Sequence, residues 1–78
     1  MRQTQTDVLH GISCNIRSAH DLGAMLGVSV IAMRARLRCL RKDGLIAHYG
    51  WLANGEALYR LTGAGYTALG KLTEVDNE

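Results

Sequence analysis

The sequence predicts a mainly α domain closed by one small β-hairpin, an α+β arrangement in the order helix, helix, helix, hairpin, helix. Three observations carry this expectation. Apolar residues recur at helical spacing as far as Leu40. After Gly44 the pattern changes to two short runs rich in β-formers, on either side of Ala53-Asn54-Gly55-Glu56. A helical pattern then returns behind Thr62. The 78 residues leave no room for a second core, so a single domain over 1–73 is expected, followed by an acidic tail, 74–78, that holds Glu74, Asp76 and Glu78. Aromatics are scarce and Phe is absent, so the core must come from Leu, Ile, Val, Met and Ala, which leans towards helices.

Each element has its own signals. Thr4, Thr6 and Asp7 offer capping side chains ahead of Val8, Leu9 and Ile12, the apolar positions of a short first helix that Gly11 and Ser13 weaken at its far end. Asn15-Ile16-Arg17 reads as a connection or a very short strand. Ser18 is an N-cap for a second helix: its hydroxyl can accept from a free backbone N–H, and Asp21 suits the positive helix end. Leu22, Met25 and Leu26 would be its buried face and Gly27 its stop. Ser29 caps a third helix that runs to Lys42 or Asp43 and ends at Gly44. Leu45–Leu52 and Ala57–Leu61 are the strands. Asn54-Gly55 between them is a strong hairpin signal, because both residue types tolerate positive φ. Tyr49 and Trp51 alternate onto one face, where they are expected to pack over the domain; the alternative is an exposed Trp51 that forms an interaction patch beside Leu52. Thr62 caps a last helix carrying Ala64, Ala68, Leu69 and Leu72, which Gly63, Gly65 and Gly70 make dependent on packing.

Several chemistries are absent from the pattern. Cys14 and Cys39 have neither the number nor the spacing of a disulfide framework or a zinc site, and are read as reduced thiols. His10, His20 and His48 are spread along the chain with no carboxylate or cysteine at ligand spacing, so no metal and no cofactor is expected. There is no nucleophilic triad order, and the glycines after the hairpin lack the Lys-Ser/Thr ending of a phosphate loop. An enzyme is therefore not expected. No apolar run approaches the ~20 residues of a membrane span, and the polar start leads into no signal-peptide core. A cytoplasmic protein with no membrane partner is the expectation.

The net charge of +2 says little, but its placement says more. Five of the nine basic residues, Arg34, Arg36, Arg38, Arg41 and Lys42, fall on the third helix with no acid among them. On a wheel at about 100° per residue, Met33, Leu37, Leu40 and Gly44 share a narrow packing sector. Arg34, Arg38 and Arg41 lie together beside it, and Ile31, Ala35 and Lys42 lie opposite. Arg36 sits at the apolar edge, where its stem can lie on the core while the guanidinium reaches water. A run of cations with no local partner is repulsive unless a polyanion relieves it. Arginine in particular can pair bidentately with phosphate or with guanine O6/N7.

The stretch Leu22-x-x-x-Leu26-Gly27-Val28-Ser29-x-x-x-Met33-x-x-x-Leu37-x-x-Leu40-x-x-x-Gly44-Leu45-Ile46 resembles the core of bacterial winged helix-turn-helix regulators. Farther on, Tyr59-Arg60-Leu61-Thr62-x-x-Gly65-x-x-x-Leu69 resembles their exit from the wing into a last helix. The resemblance implies duplex-DNA binding, with Ser29–Lys42 as the recognition helix in the major groove. Ser29, Val30, Ile31, Ala32, Arg34, Ala35 and Arg38 would line its DNA side, and Arg38, Arg41 and Lys42 would hold phosphates. Ser18 and His20, at the start of the second helix, would add backbone contacts. Arg60 is the only cation on the hairpin, whose tip, Leu52–Glu56, lacks Arg and Lys and ends in an acid.

The expected function is a sequence-specific transcriptional regulator acting by site occupancy. Two alternatives stand beside it: a protein-interaction module that docks a partner through the third helix and Trp51, and a nucleoid-type DNA binder without sequence preference. Leu69, Leu72 and Val75, with Val8, Leu9 and Ile12, exceed what one small core needs. They give either simple packing of the first helix on the last or a homodimer face.

Overall fold

The computed structural model describes residues 3–74, so the acidic tail lies outside the described residues apart from the backbone of Glu74, as does Val75. The side chain of Leu72 also falls outside what is described. The order is α1 (Gln3–Ser13), α2 (Ala19–Leu26), α3 (Val30–Lys42), β1 (Ile46–Trp51), β2 (Ala57–Leu61) and α4 (Gly63–Glu74), the expected succession. Three of the capping side chains act as expected: Ser18 Oγ accepts from Asp21 N (3.2 Å), Ser29 Oγ from Ala32 N (3.2 Å), and Thr62 Oγ1 from Gly65 N (3.0 Å). Gly27 and Gly44 follow α2 and α3 with φ of 69° and 78°, the left-handed conformation that a Cβ resists.

The core is one cluster drawn from every element up to the end of the hairpin: Val8, Leu9 and Ile12, Ala19 and Leu22, Met33, Leu37 and Leu40, Ile46 and Leu61. Ala68 and Leu69 of α4 pack against it. Val8, Leu9 and Ile12 are thus enclosed within one copy of the chain, and none of the three forms an outward face. Met25 departs from its expected place and is 44% exposed, because α2 turns Ala19 and Leu22 inwards. A Cβ at Gly11 would come 2.7 Å from Met25 Cε, so the Met25 tip covers Gly11 of α1 while its flank stays wet. Arg36 is half-buried, and its Nη1 is enclosed rather than in water. Ala64 is exposed; the buried residue in the first turn of α4 is Gly65.

The hairpin corrects two details. The turn does not place both Asn54 and Gly55 at positive φ: only Gly55 does (88°), while Asn54 Oδ1 accepts from Glu56 N (3.0 Å). The ladder also carries a β-bulge. His48 pairs with Tyr59 and Gly50 with Leu58, which leaves Tyr49 as an extra residue. Beyond the bulge the parity of side chains reverses, so Trp51 joins His48 and Tyr59 on one face rather than sharing a face with Tyr49. Neither aromatic packs over the domain: Tyr49 is 44% exposed and Trp51 66%. The free edge of β2 is partly covered, since Tyr59 N donates to Arg17 O (3.0 Å) and Ser18 bridges Leu58, which realises the very short strand.

Candidate nucleic-acid interface

Met33, Leu37 and Leu40 fix the rotation of α3 by facing the core. This leaves Ile31, Arg34, Ala35, Arg38, Arg41 and Lys42 exposed, with Ile31 at 80%. Arg34, Arg38 and Arg41 stand on successive turns and line one groove of about 320 Å³. The opposite wall is the hairpin, through Trp51, Glu56, Ala57 and Tyr59, with Ala19 of α2 at the base. Among the described residues no carboxylate lies within ion-pair distance of the three guanidinium groups. Ser29 is exposed at the helix start and Ala32 is half-buried. Val30 is not part of the free face: it is half-buried and packs on the core.

The second-helix residues fall differently from expectation. Ser18 is buried (1% exposed), its oxygen held by Asp21 N and its backbone bridged to Leu58, so it presents nothing to a ligand. The backbone N–H of His20 already donates to Glu56 Oε1 at 2.8 Å. The positive end of α2 therefore holds the hairpin's own carboxylate rather than standing open for a phosphate. The His20 ring remains exposed, with Nδ1 3.7 Å from Asp21 Oδ1. Arg60 does not join the arginine row. It lies on the far face of the hairpin, in a second groove with Arg17, Ala47, Thr62 and Tyr66.

Three features were missed by residue patterns: the Glu56 contact, the placement of Trp51 in the groove, and the pairing of Arg17 with Tyr49. Arg17 Nη1 donates to the Tyr49 hydroxyl (3.2 Å), and its guanidinium lies 5.5 Å from the ring centroid. His10 and Cys14 do stand one helical turn apart, with Nε2 and Sγ separated by 3.9 Å, closer than the sequence reading allowed. Among the described residues, no three His, Cys, Asp or Glu side chains gather as a metal site would require. No helix among the described residues is long and apolar enough to cross a membrane.

No protein-family model matches the chain, and no curated protein matches it in sequence. Solved structures do match. A mutant of MepR from S. aureus bound to an oligodeoxyribonucleotide superposes with a TM-score of 0.85 at 18% identity, over 99% of this chain and 59% of that one. A mutant of MarR from E. coli complexed with operator DNA gives 0.83 at 22% identity, over 95% and 54%. The transcriptional regulator BldR from Sulfolobus solfataricus gives 0.83 at 20% identity, over 99% and 56%. The chain thus spans little more than half the length of these neighbours. It has their winged helix-turn-helix fold, with α2 and α3 as the helix-turn-helix and β1–β2 as the wing.

Proposed function

We propose that this chain is a sequence-specific duplex-DNA-binding transcriptional regulator that acts by occupying its site, with α3 in the major groove. One observation carries the reading: Arg34, Arg38 and Arg41 are exposed on successive turns of a helix fixed by its core face, and no described acid pairs with them. A row of unneutralised guanidinium groups on successive helical turns suits the phosphates flanking a groove. The fold supports the reading, since MepR and MarR adopt it in structures that contain DNA. Ser29, Ile31, Ala32, Arg34 and Ala35, early on the helix, would approach base edges. The methyl-bearing Ile31 and Ala35 suit thymine, and Arg34 suits guanine. Arg38, Arg41 and Lys42 would hold phosphates, and the exposed His20 ring would add a contact to the DNA backbone. This reading leaves out Arg60, which lines the other groove of the hairpin, and Ser18, whose side chain is buried.

The exposure of Ile31 and Trp51 favours one alternative, a module that docks a protein through the same surface. Fluorescence anisotropy of a random-sequence duplex, titrated across ~50–200 mM salt, separates the two. Contact with about five phosphates gives a slope of log K against log salt near −4.5, and the Arg34→Ala/Arg38→Ala double variant should reduce its magnitude by about 2. Absence of binding by folded protein at the lowest salt would overturn the DNA reading in favour of docking. A salt-dependent association with no preferred site after selection from a random pool would leave a nucleoid-type binder. A homodimer would place two copies on a two-fold site. It would have to form without Val8, Leu9 and Ile12, which the core of each copy encloses.

A further inference from the structure

The outer side of α1 carries a chemistry that the proposed DNA face does not use. Val8, Leu9 and Ile12 are buried in the core. His10 and Cys14 stand on the side opposite Val8 and Ile12, one helical turn from each other, and both are exposed. Cys14 Sγ lies 3.9 Å from His10 Nε2. A tetrahedral zinc ion, at about 2.3 Å from sulfur and about 2.05 Å from nitrogen, holds two such atoms about 3.6 Å apart. The pair therefore already stands within about 0.3 Å of the span that one ion would impose. Its surroundings favour a cation. The pair closes the last turn of α1, the negative end of the helix dipole, and Asp7 is exposed on the same face one turn before His10. Arg17, the nearest cation in sequence, turns its guanidinium to Tyr49 instead.

We infer that His10 and Cys14 form half of a site for a thiophilic dication, Zn2+, which the same pair of a second copy completes. Imidazole and thiolate together select zinc over magnesium or calcium, which take oxygen ligands. One copy falls short of the four ligands of a closed zinc site. Among the described residues no third His, Cys, Asp or Glu gathers with the pair. A second copy related by a two-fold axis supplies the missing two in kind, so that two nitrogens and two sulfurs surround the ion. Because both side chains are exposed on the outer side of α1, that approach disturbs none of the core behind them. On binding, each Cys14 thiol gives its proton to solvent and coordinates as thiolate. Such a dimer needs no contribution from Val8, Leu9 and Ile12, which each copy encloses. It carries two copies of α3, so metal supply would set how many copies reach a two-fold DNA site.

The test titrates the full chain, freed of metal and kept reduced by a phosphine, with Co2+ as a coloured stand-in for Zn2+. A thiolate-to-cobalt charge-transfer band and the visible bands of tetrahedral cobalt should appear together and saturate at one ion per two chains. Sedimentation velocity should show Zn2+ at the same ratio giving a dimer that a chelator reverses, which separates it from a Cys14–Cys14 disulfide. Cys14→Ser should abolish the charge-transfer band. His10→Ala should weaken Zn2+ binding by more than the roughly 10–100-fold typical of losing an outer-shell partner. Cys39→Ser, which removes the other thiol, should change neither readout. Circular dichroism checks that each variant folds, as expected for exposed side chains. Saturation at one ion per chain, absence of the charge-transfer band, or an unchanged band in Cys14→Ser would each overturn the inference. None of these outcomes bears on the arginine row, so the DNA reading stands or falls separately.

Discussion

Gly65 occupies the tightest point of the hairpin–helix junction. A Cβ there would overlap the carbonyl oxygen of Leu45, which already accepts from Thr62 N at 3.0 Å, and would press on Leu61 Cδ2 at 3.3 Å. The obstacle is backbone, which cannot rotate away as a side chain can. Gly65→Ala should therefore destabilise the domain by about 1–3 kcal/mol, although alanine is the better helix former, and a lower urea midpoint with unchanged slope would show it. Composition alone marks Gly65 as a weakness of the last helix. The reason for it is a contact between segments 20 residues apart, which propensity cannot contain. Met25 teaches the same lesson in reverse. Its spacing fits an apolar face, but α1 approaches α2 at Gly11, so the Met25 side chain lies over the seam rather than beneath it.

Between elements, the decisive contact joins the wing to the start of α2. Glu56 supplies the anion that a helix N-terminus favours, and it does so within the groove lined by three arginines. In Glu56→Gln the amide oxygen can still accept from His20 N, but the negative charge is gone. Two results should follow. Duplex affinity at ~50 mM salt should rise about two- to fivefold as repulsion of the incoming strand is lifted. Stability should fall by roughly 0.3–1 kcal/mol, because α2 loses a charge at its positive end. Anisotropy and urea unfolding of the same preparation measure both. Most elements were legible in the sequence because they carry their own period, cap or stop; the cap of the first helix was not, since Thr4, Thr6 and Asp7, expected ahead of it, lie inside α1 (Gln3–Ser13). Ser18, Ser29 and Thr62 mark three helix starts, while Met33, Leu37 and Leu40 fix the rotation of α3 and hence the arginine face. The partners of Arg17 and Glu56 were not legible, as they lie 32 and 36 residues away, and neither Arg nor Glu has a local pattern that selects them.

For the molecule as a whole, the charge layout and the small core belong together. Residues 1–44 carry a formal +4 and residues 45–78 a formal −2, and the arginine row concentrates the positive part on one exposed face. A domain of this size buries only about 60% of the surface that its unfolded chain exposes, so its intrinsic stability is modest. A ligand that binds only the folded chain then has a large effect on melting. Duplex at a hundred times its Kd should add about 2.7 kcal/mol, which for a chain of this length raises Tm by roughly 10–20 °C. Differential scanning calorimetry at ~50 mM and ~200 mM salt should show the gain shrinking steeply as salt rises, since the affinity itself does. A shift indifferent to salt would contradict an interface built on guanidinium–phosphate pairs.

The bulge in β1 has a consequence for comparing this chain with other proteins of the same fold. Tyr49 is an insertion in the strict sense: removing it on paper leaves His48, Gly50 and Trp51 opposite Tyr59, Leu58 and Ala57 in an unbroken ladder. When this hairpin is aligned with one that lacks the extra residue, the gap belongs opposite Tyr49. A gap placed by habit at the Asn54-Gly55 tip would shift Gly50 and Trp51 by one position. It would then equate the indole that faces α3 with residues on the Arg60 side of the wing.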